Sequence, residues 1–210
     1  MMSTRLETLY EVRREDLRPA AATLARAFEH DPLWAKVFEG VPGDKVATWY
    51  EGPIRYCSRY GRVYATSDRF EGVIAVASGE HAVMTMWRMM QVGAVKMGMR
   101  MGLKMMMRGP RLMRIFRPLE ADRKEHMRGR GYVYVLIVGV APEHQGQGFG
   151  GRLLRALTEE SDRTGVPIYL ETETEDNRNM YEHLGFELLC VITLPVVDLP
   201  MWEMVREPAP

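Results

Sequence analysis

The segment Gln145-Gly146-Gln147-Gly148-Phe149-Gly150-Gly151 places four glycines where a helical pattern starts. It follows an apolar run, Tyr132 to Val140 (YVYVLIVGV), and a turn, Ala141-Pro142-Glu143-His144. A strand, a glycine loop and a helix N-terminus make an anion site. The first-turn amides lack intrahelical acceptors, and the helix dipole favours negative charge there. Glycine also lets a phosphate approach the backbone closely. Gln145 to Gly151 is therefore expected to bind a phosphate or pyrophosphate. Two frames fit. Gly146-x-Gly148-x-x-Gly151, with Glu171 twenty residues on, matches the dinucleotide pattern of a nucleotide-binding oxidoreductase. Gln145-x-x-Gly148-x-Gly150 is the other frame, just after a Val-Ala-Pro turn. The first frame needs several further βα units, yet only 59 residues follow Gly151. No His, Asp or Glu spacing suggests a metal. Cys57 and Cys190 read as packing residues.

The elements that position this loop read clearly in the second half. Tyr132 to Val140 is apolar on both faces, as a central strand should be. A helix is predicted from about Phe149 to Arg163, a strand over Pro167 to Thr172, and a short helix from about Asn177 to Leu184. Gly185 is placed for a left-handed cap, with Phe186 as its apolar contact. Glu187 to Leu194 and Met201 to Val205 read as final strands. In the first half, Leu6 to Val12 reads as a strand and Asp16 as the N-cap of a helix that His30-Asp31-Pro32 stops. A second helix is predicted from near Asp44. Arg62–Thr66 and Gly72–Ala77 read as a hairpin. The 210 residues, with 28 basic and 28 acidic side chains, suit one domain and argue against a nucleic-acid partner. Two cysteines build no disulfide framework, and the first residues carry no apolar signal segment. A reducing, cytoplasmic setting is the expectation.

VGVAPEHQGQGFGGRLL followed by YLETETEDNRNMYEHLGFEL resembles the GNAT superfamily of N-acetyltransferases. The matching positions are Gln145, Gly148 and Gly150 of the coenzyme-A loop, and Tyr181, Gly185 and Phe186 of the C-terminal helix. Within the superfamily the pattern is similar to a puromycin N-acetyltransferase-like branch. The resemblance implies an α/β fold, a GNAT-type mixed central β-sheet flanked by helices, and acetyl-CoA as cosubstrate without a metal. It implies a small-molecule amine acceptor attacked directly in a ternary complex, by a monomer or homodimer. Gln145, Gly146, Gln147, Gly148, Phe149, Gly150 and Gly151 would then hold pyrophosphate, and Val138, Gly139 and Val140 would flank pantetheine. The Val140 amide is the candidate oxyanion donor. Gly139 is expected to ease a bulge that splays this strand from its neighbour. Tyr181 occupies the place of the acid that protonates the leaving thiolate. Asn177, four residues earlier, is either near the coenzyme-A arm or a helix N-cap. Glu171 is the first choice of base and Glu173 the second. His183, His144 and His126 are weaker alternatives. The acidic run Glu171, Glu173, Glu175, Asp176 favours a cationic amine.

Residues 81 to 119 differ from the rest, with eight Arg or Lys and no Asp or Glu. Met84 to Met113 holds eleven of the seventeen methionines. Arg88, Lys96, Arg100, Lys104 and Arg108 recur at multiples of four, which predicts one basic helical face. The chain is thus expected to be one domain, 1–210, with a helical Met-rich insert over about 81–128 and a coenzyme-A core over about 130–190. The insert reads as a mobile cover lending methionines to an acceptor pocket, as a surface for anionic membrane, or as helices packed on the sheet with a solvated basic face. Trp34, Phe38, Trp49 and Tyr56 are candidates for the same pocket or for core.

Overall fold

The computed structural model describes residues 5–102, 105 and 107–209. Its centre is a seven-stranded sheet in the order β1-β2-β3-β4-β5-β7-β6. The strands are β1 (Tyr10–Glu11), β2 (Gly61–Ala65), β3 (Gly72–Ser78), β4 (Val133–Val140), β5 (Ile168–Thr172), β6 (Glu187–Leu194) and β7 (Leu199–Arg206). Among the described residues only the β4–β5 pair is parallel. This is the mixed GNAT-type sheet, and it overturns the doubly wound alternative, which needs successive parallel units.

β3 shows why the sheet is central. Six consecutive residues, Gly72 to Ala77, are buried. Val73, Ala75 and Ala77 face one core and Ile74 and Val76 the other, as the period of two requires. The first core is covered by α1 (Leu17–Ala27), α2 (Pro32–Val37), α3 (Gly43–Tyr60) and α6 (Gly109–His126). The second is covered by α7 (Phe149–Thr164), whose Leu153, Leu154 and Leu157 form the buried stripe, and by α8 (Glu175–His183). Gly185 has φ 85°, and Phe186 N donates to Tyr181 O at 3.1 Å, closing α8 as predicted.

Several local readings change. Leu6–Val12 is a 3-10 turn, Arg5–Thr8, followed by the two-residue β1. Asp16 does not cap the amides of α1; its Oδ2 accepts from Tyr10 Oη at 2.6 Å and Arg13 N at 3.3 Å. Asp31-Pro32 both ends one helix and starts another. Asp31 Oδ1 accepts from Leu33 N and Trp34 N, each at 3.0 Å, so it caps α2.

Among the described residues, α4 (Met86–Gln91), α5 (Ala94–Met101) and α6 lie between β3 and β4. Gly93, at φ 91°, and Gly102, at φ 82°, interrupt the run, so the basic residues do not share one face. Arg100 pairs with Glu51 at 2.9 Å, and Arg108 donates to Val37 O and Glu39 O at 2.6 Å each. Arg88 donates to Glu80 O and Val83 O. Arg88, Arg100 and Arg108 thus reach acceptors on the protein, whereas Lys96 stays exposed on α5; Lys104 lies outside the described residues. Among the described residues no helix is long and apolar enough to cross a membrane.

Candidate active site

β4 and β5 pair only at Val133↔Ile168 and Tyr134↔Tyr169, then separate. The gap is a cavity of about 130 Å³. Val135 to Val138 of β4, Leu170 to Thr172 of β5 and the next residue, Glu173, line it, with Asn177 and Tyr181 of α8. Phe28, Trp34, Phe116 and Met201 complete the wall. None of the methionines from 84 to 113 lines it among the described residues, so the methionine pocket does not form. Met97 and Met105 are buried elsewhere, and Met84, Met86, Met90, Met99, Met107 and Met113 are exposed. Trp34 reaches the cavity; Phe38, Trp49 and Tyr56 do not.

The splay does not arise at Gly139. Gly139 pairs in register with Val73, and the bulge leaves Leu136 unpaired, between Ile137↔Ala75 and Val135↔Val76. Its consequence is directional. Val133 N donates towards β5, to Pro167 O, whereas Ala141 N donates towards β3, to Glu71 O, both at 2.9 Å. In a regular strand residues an even number apart point their amides the same way. The extra residue at Leu136 switches the alternation, so the amides of Val138 and Val140 point at the open edge. Val138 lines the cavity and Val140 lies beyond it, towards the glycine loop. Gly139 has another role: a Cβ there would come within 3.0 Å of Ala27 Cβ and Leu24 Cδ2, so the glycine admits α1 against β4.

The loop is braced by its own side chains. Gln145 Nε2 donates to Val140 O at 3.1 Å and Gln147 Nε2 to Glu143 O at 2.9 Å. Gly146 (φ 74°) and Gly148 (φ 84°) are left-handed, with open space where a Cβ would sit. Gly148 caps α7, and the first helical bond is Arg152 N to Gly148 O at 2.9 Å. The first-turn amides of Phe149, Gly150 and Gly151 therefore have no acceptor within the helix. A Cβ on Gly151 would approach Arg155 Nη1 to 3.0 Å. Sequence reasoning missed this cation, although Arg155 lies one turn beyond the loop.

The carboxylates separate into two kinds. Glu171 Oε1 accepts from Arg123 Nη1 at 2.7 Å, and both side chains are buried. Burial pushes the Glu171 carboxyl up, and Arg123 opposes that. The Arg123 guanidinium also stacks on Tyr134, 4.1 Å from the ring centroid. A carboxylate committed to a buried arginine is a poor proton acceptor, which counts against Glu171 as first-choice base. Glu173 also lines the cavity, facing Asp31 instead of a cation. Burial is the main cause that holds its carboxyl well above the usual range, and the Asp31 carboxylate adds to it. Tyr181 is 5% exposed and packs edge-on against Phe186 at 5.5 Å. Burial, then Glu173, raises its phenol, so it stays protonated.

Asn177 is not the N-cap of α8. Thr174 holds that place, its Oγ1 accepting from Asn177 N at 3.3 Å, and Asn177 joins Tyr181 at the cavity. His183 is exposed, with Nδ1 2.6 Å from Asn179 O. His144 packs edge-on against Phe149. Neither lines the cavity, and His126 stands at the far end of α6.

Residues 119–188 match the family described as Acetyltransferase (GNAT) domain. An uncharacterized N-acetyltransferase of Schizosaccharomyces pombe is 36% identical over 77 residues, covering 36% of this chain and 31% of its own length. The match thus spans about a third of that curated relative. A crystal structure from Corynebacterium glutamicum, described as histone acetyltransferase HPA2 and related acetyltransferase, shares the fold. Its TM-score is 0.65 at 20% identity, over 96% of both chains. A mosquito arylalkylamine N-acetyltransferase-like protein gives 0.60 at 16%, over 95% of this chain and 98% of its own. With the splayed β4–β5 pair, the left-handed glycine loop and α8 closing the cavity, residues 119–188 match a GNAT acetyltransferase domain, and the chain as a whole has the fold of these acetyltransferase structures.

Proposed function

We propose that the protein transfers an acetyl group from acetyl-CoA to the amine of a small apolar or aromatic molecule, by direct attack in a ternary complex. The observation that carries this reading is the continuity of the glycine loop with the cavity through the β4 amides. Gln145 to Gly151, with Arg155, would hold the pyrophosphate, since two left-handed glycines leave open space there. Val138, Gly139 and Val140 would flank the pantetheine arm, with Asn177 near its end. Acetyl-CoA supplies an acyl group activated as a thioester.

The chain's residues have three tasks. Glu173, paired with Asp31, draws in the ammonium form of the acceptor; one nitrogen proton passes to solvent to free the lone pair, and Glu173 takes the second from the adduct once nitrogen has attacked. The inward amides of Val138 and Val140 donate to the carbonyl oxygen as it gains charge; one such donor contributes about 3 kcal/mol. Tyr181 donates to the departing sulfur. Its raised phenol sits above a thiol near 8.5, so full transfer is uphill until a proton returns to the phenolate. Glu173, beside Tyr181, supplies that return. Phe28, Trp34 and Phe116 offer an apolar wall for the acceptor's body.

The test is thiol release from acetyl-CoA with an amine panel, for the native protein and Tyr181→Phe. The variant should lose about 10²-fold or more in kcat and keep acetyl-CoA affinity. No turnover with any amine, together with no thermal shift from acetyl-CoA, overturns the reading.

A further inference from the structure

A second polar cluster lies away from the cavity, where the C-terminal end of α6 meets the β6–β7 hairpin. Cys190 and Glu203 are cross-strand partners, and the register shift between Leu188 and Cys190 sets Cys190 opposite Glu203. His126 is the last residue of α6, and its Nε2 lies 3.5 Å from Cys190 Sγ. One ligand atom each from His126, Cys190 and Glu203 fall within 4.8 Å of one another. Glu203 is fully buried. Its Oε2 accepts from Tyr169 Oη, but Oε1 has no hydrogen-bond partner. A buried carboxylate oxygen without a donor is costly, and a cation or a proton relieves that cost.

We propose that His126, Cys190 and Glu203 form a binding site for one divalent cation of the zinc type. The donor set is imidazole, thiolate and carboxylate, which suits zinc and not magnesium or calcium. A tetrahedral ion with bonds of about 2.0–2.1 Å to nitrogen and 2.3 Å to sulfur sets those two atoms about 3.5 Å apart. The observed separation is already that. A thiolate and a carboxylate together neutralise a dication, and Asp122, one turn before His126, adds negative charge nearby. Binding releases the thiol proton.

The site is structural in its consequence. It would pin the end of α6 to the hairpin, and α6 carries Phe116 and Leu119 to the cavity wall and Arg123 to Glu171. Spacing along the chain did not reveal it, because one ligand ends a helix and two come from neighbouring strands.

The test uses full-length protein stripped with a chelator and titrated with Co(II). One equivalent should bind, with a thiolate-to-cobalt absorption band and the visible bands of a tetrahedral ion. Zn(II) should displace it and Mg(II) should not. Zn(II) should also slow the reaction of Cys190 with a thiol reagent. Cys190→Ala should abolish the charge-transfer band. His126→Ala should weaken binding by more than about tenfold, since even outer partners of a metal site cost about 10–100-fold. Neither variant touches a fully buried side chain, and circular dichroism checks the fold. Absence of stoichiometric cobalt binding overturns the proposal, as does an unchanged spectrum in Cys190→Ala.

Discussion

Arg123 Nη1 lies 2.7 Å from Glu171 Oε1, and the contact ties one of the two cavity carboxylates to a buried cation. Removing only the arginine would leave a buried charge unpaired. Arg123→Met should therefore destabilise the protein by about 3–5 kcal/mol in urea melts. The double variant Arg123→Met, Glu171→Leu should recover most of that loss, because two apolar groups can replace a buried ion pair at little cost. Equal instability of the single and double variants would mean that packing, not charge, sets the cost.

Glu173 should then behave as the base. Glu173→Gln is expected to lower kcat/KM by about 10²-fold or more at neutral pH, with acetyl-CoA binding kept. A larger loss from Glu171→Gln, at unchanged stability, would return the role to Glu171.

Asp31 tunes that base. The Glu173 carboxyl is raised, by burial first and by Asp31 next. Its proton-accepting form is thus populated only above the raised value, and kcat/KM should climb with pH through it. Asp31→Asn keeps a side chain able to cap α2 but removes the negative charge. Glu173 should then lose its proton more readily, and the acidic limb should move to lower pH. A limb that stays in place assigns it to the amine itself.

The glycine loop gives a binding prediction. Gly148→Glu puts a side chain and a negative charge into the cradle, at φ 84°. Acetyl-CoA should raise the melting temperature of the native protein and not that of the variant. A preserved shift would place the pyrophosphate elsewhere.

The parts of this site legible in the sequence were those set by neighbours along the chain. The apolar run of β4, the glycines before α7 and the Gly185 cap each follow from local rules, and each stands where predicted. What depended on a partner strand or a distant element was lost. Nothing in VGV states that the extra residue is Leu136, because register belongs to the pairing with β3. Gly139 reads in the sequence as the seat of the bulge and is instead the place where α1 approaches. Arg123 lies in a different element from Glu171, so their ion pair has no sequence signature. Asp31 did carry one. A residue that caps helices, followed by proline at the first helical position, marks a helix start, but it was read only as a stop. The basic spacing of the insert failed because Gly93 and Gly102 broke the helix that the periodicity assumed.

Tyr50 supplies the final prediction. It is 1% exposed, and its hydroxyl is buried without a hydrogen-bond partner. Its ring stacks on Phe28 at 5.8 Å and meets Trp34 edge-on at 5.6 Å, so it backs two residues of the cavity wall. Burial first, then the Asp31 and Glu173 charges, raises its phenol. An unsatisfied buried hydroxyl costs about 1–3 kcal/mol, whereas phenylalanine fills nearly the same volume. Tyr50→Phe should therefore leave stability unchanged or raise it by about 1 kcal/mol. The same variant should leave KM for the preferred amine close to the native value, because the hydroxyl is buried behind Phe28 and Trp34 and does not line the cavity. A destabilised variant would mean that the hydroxyl has a partner in the core, and a raised KM would mean that it reaches the acceptor.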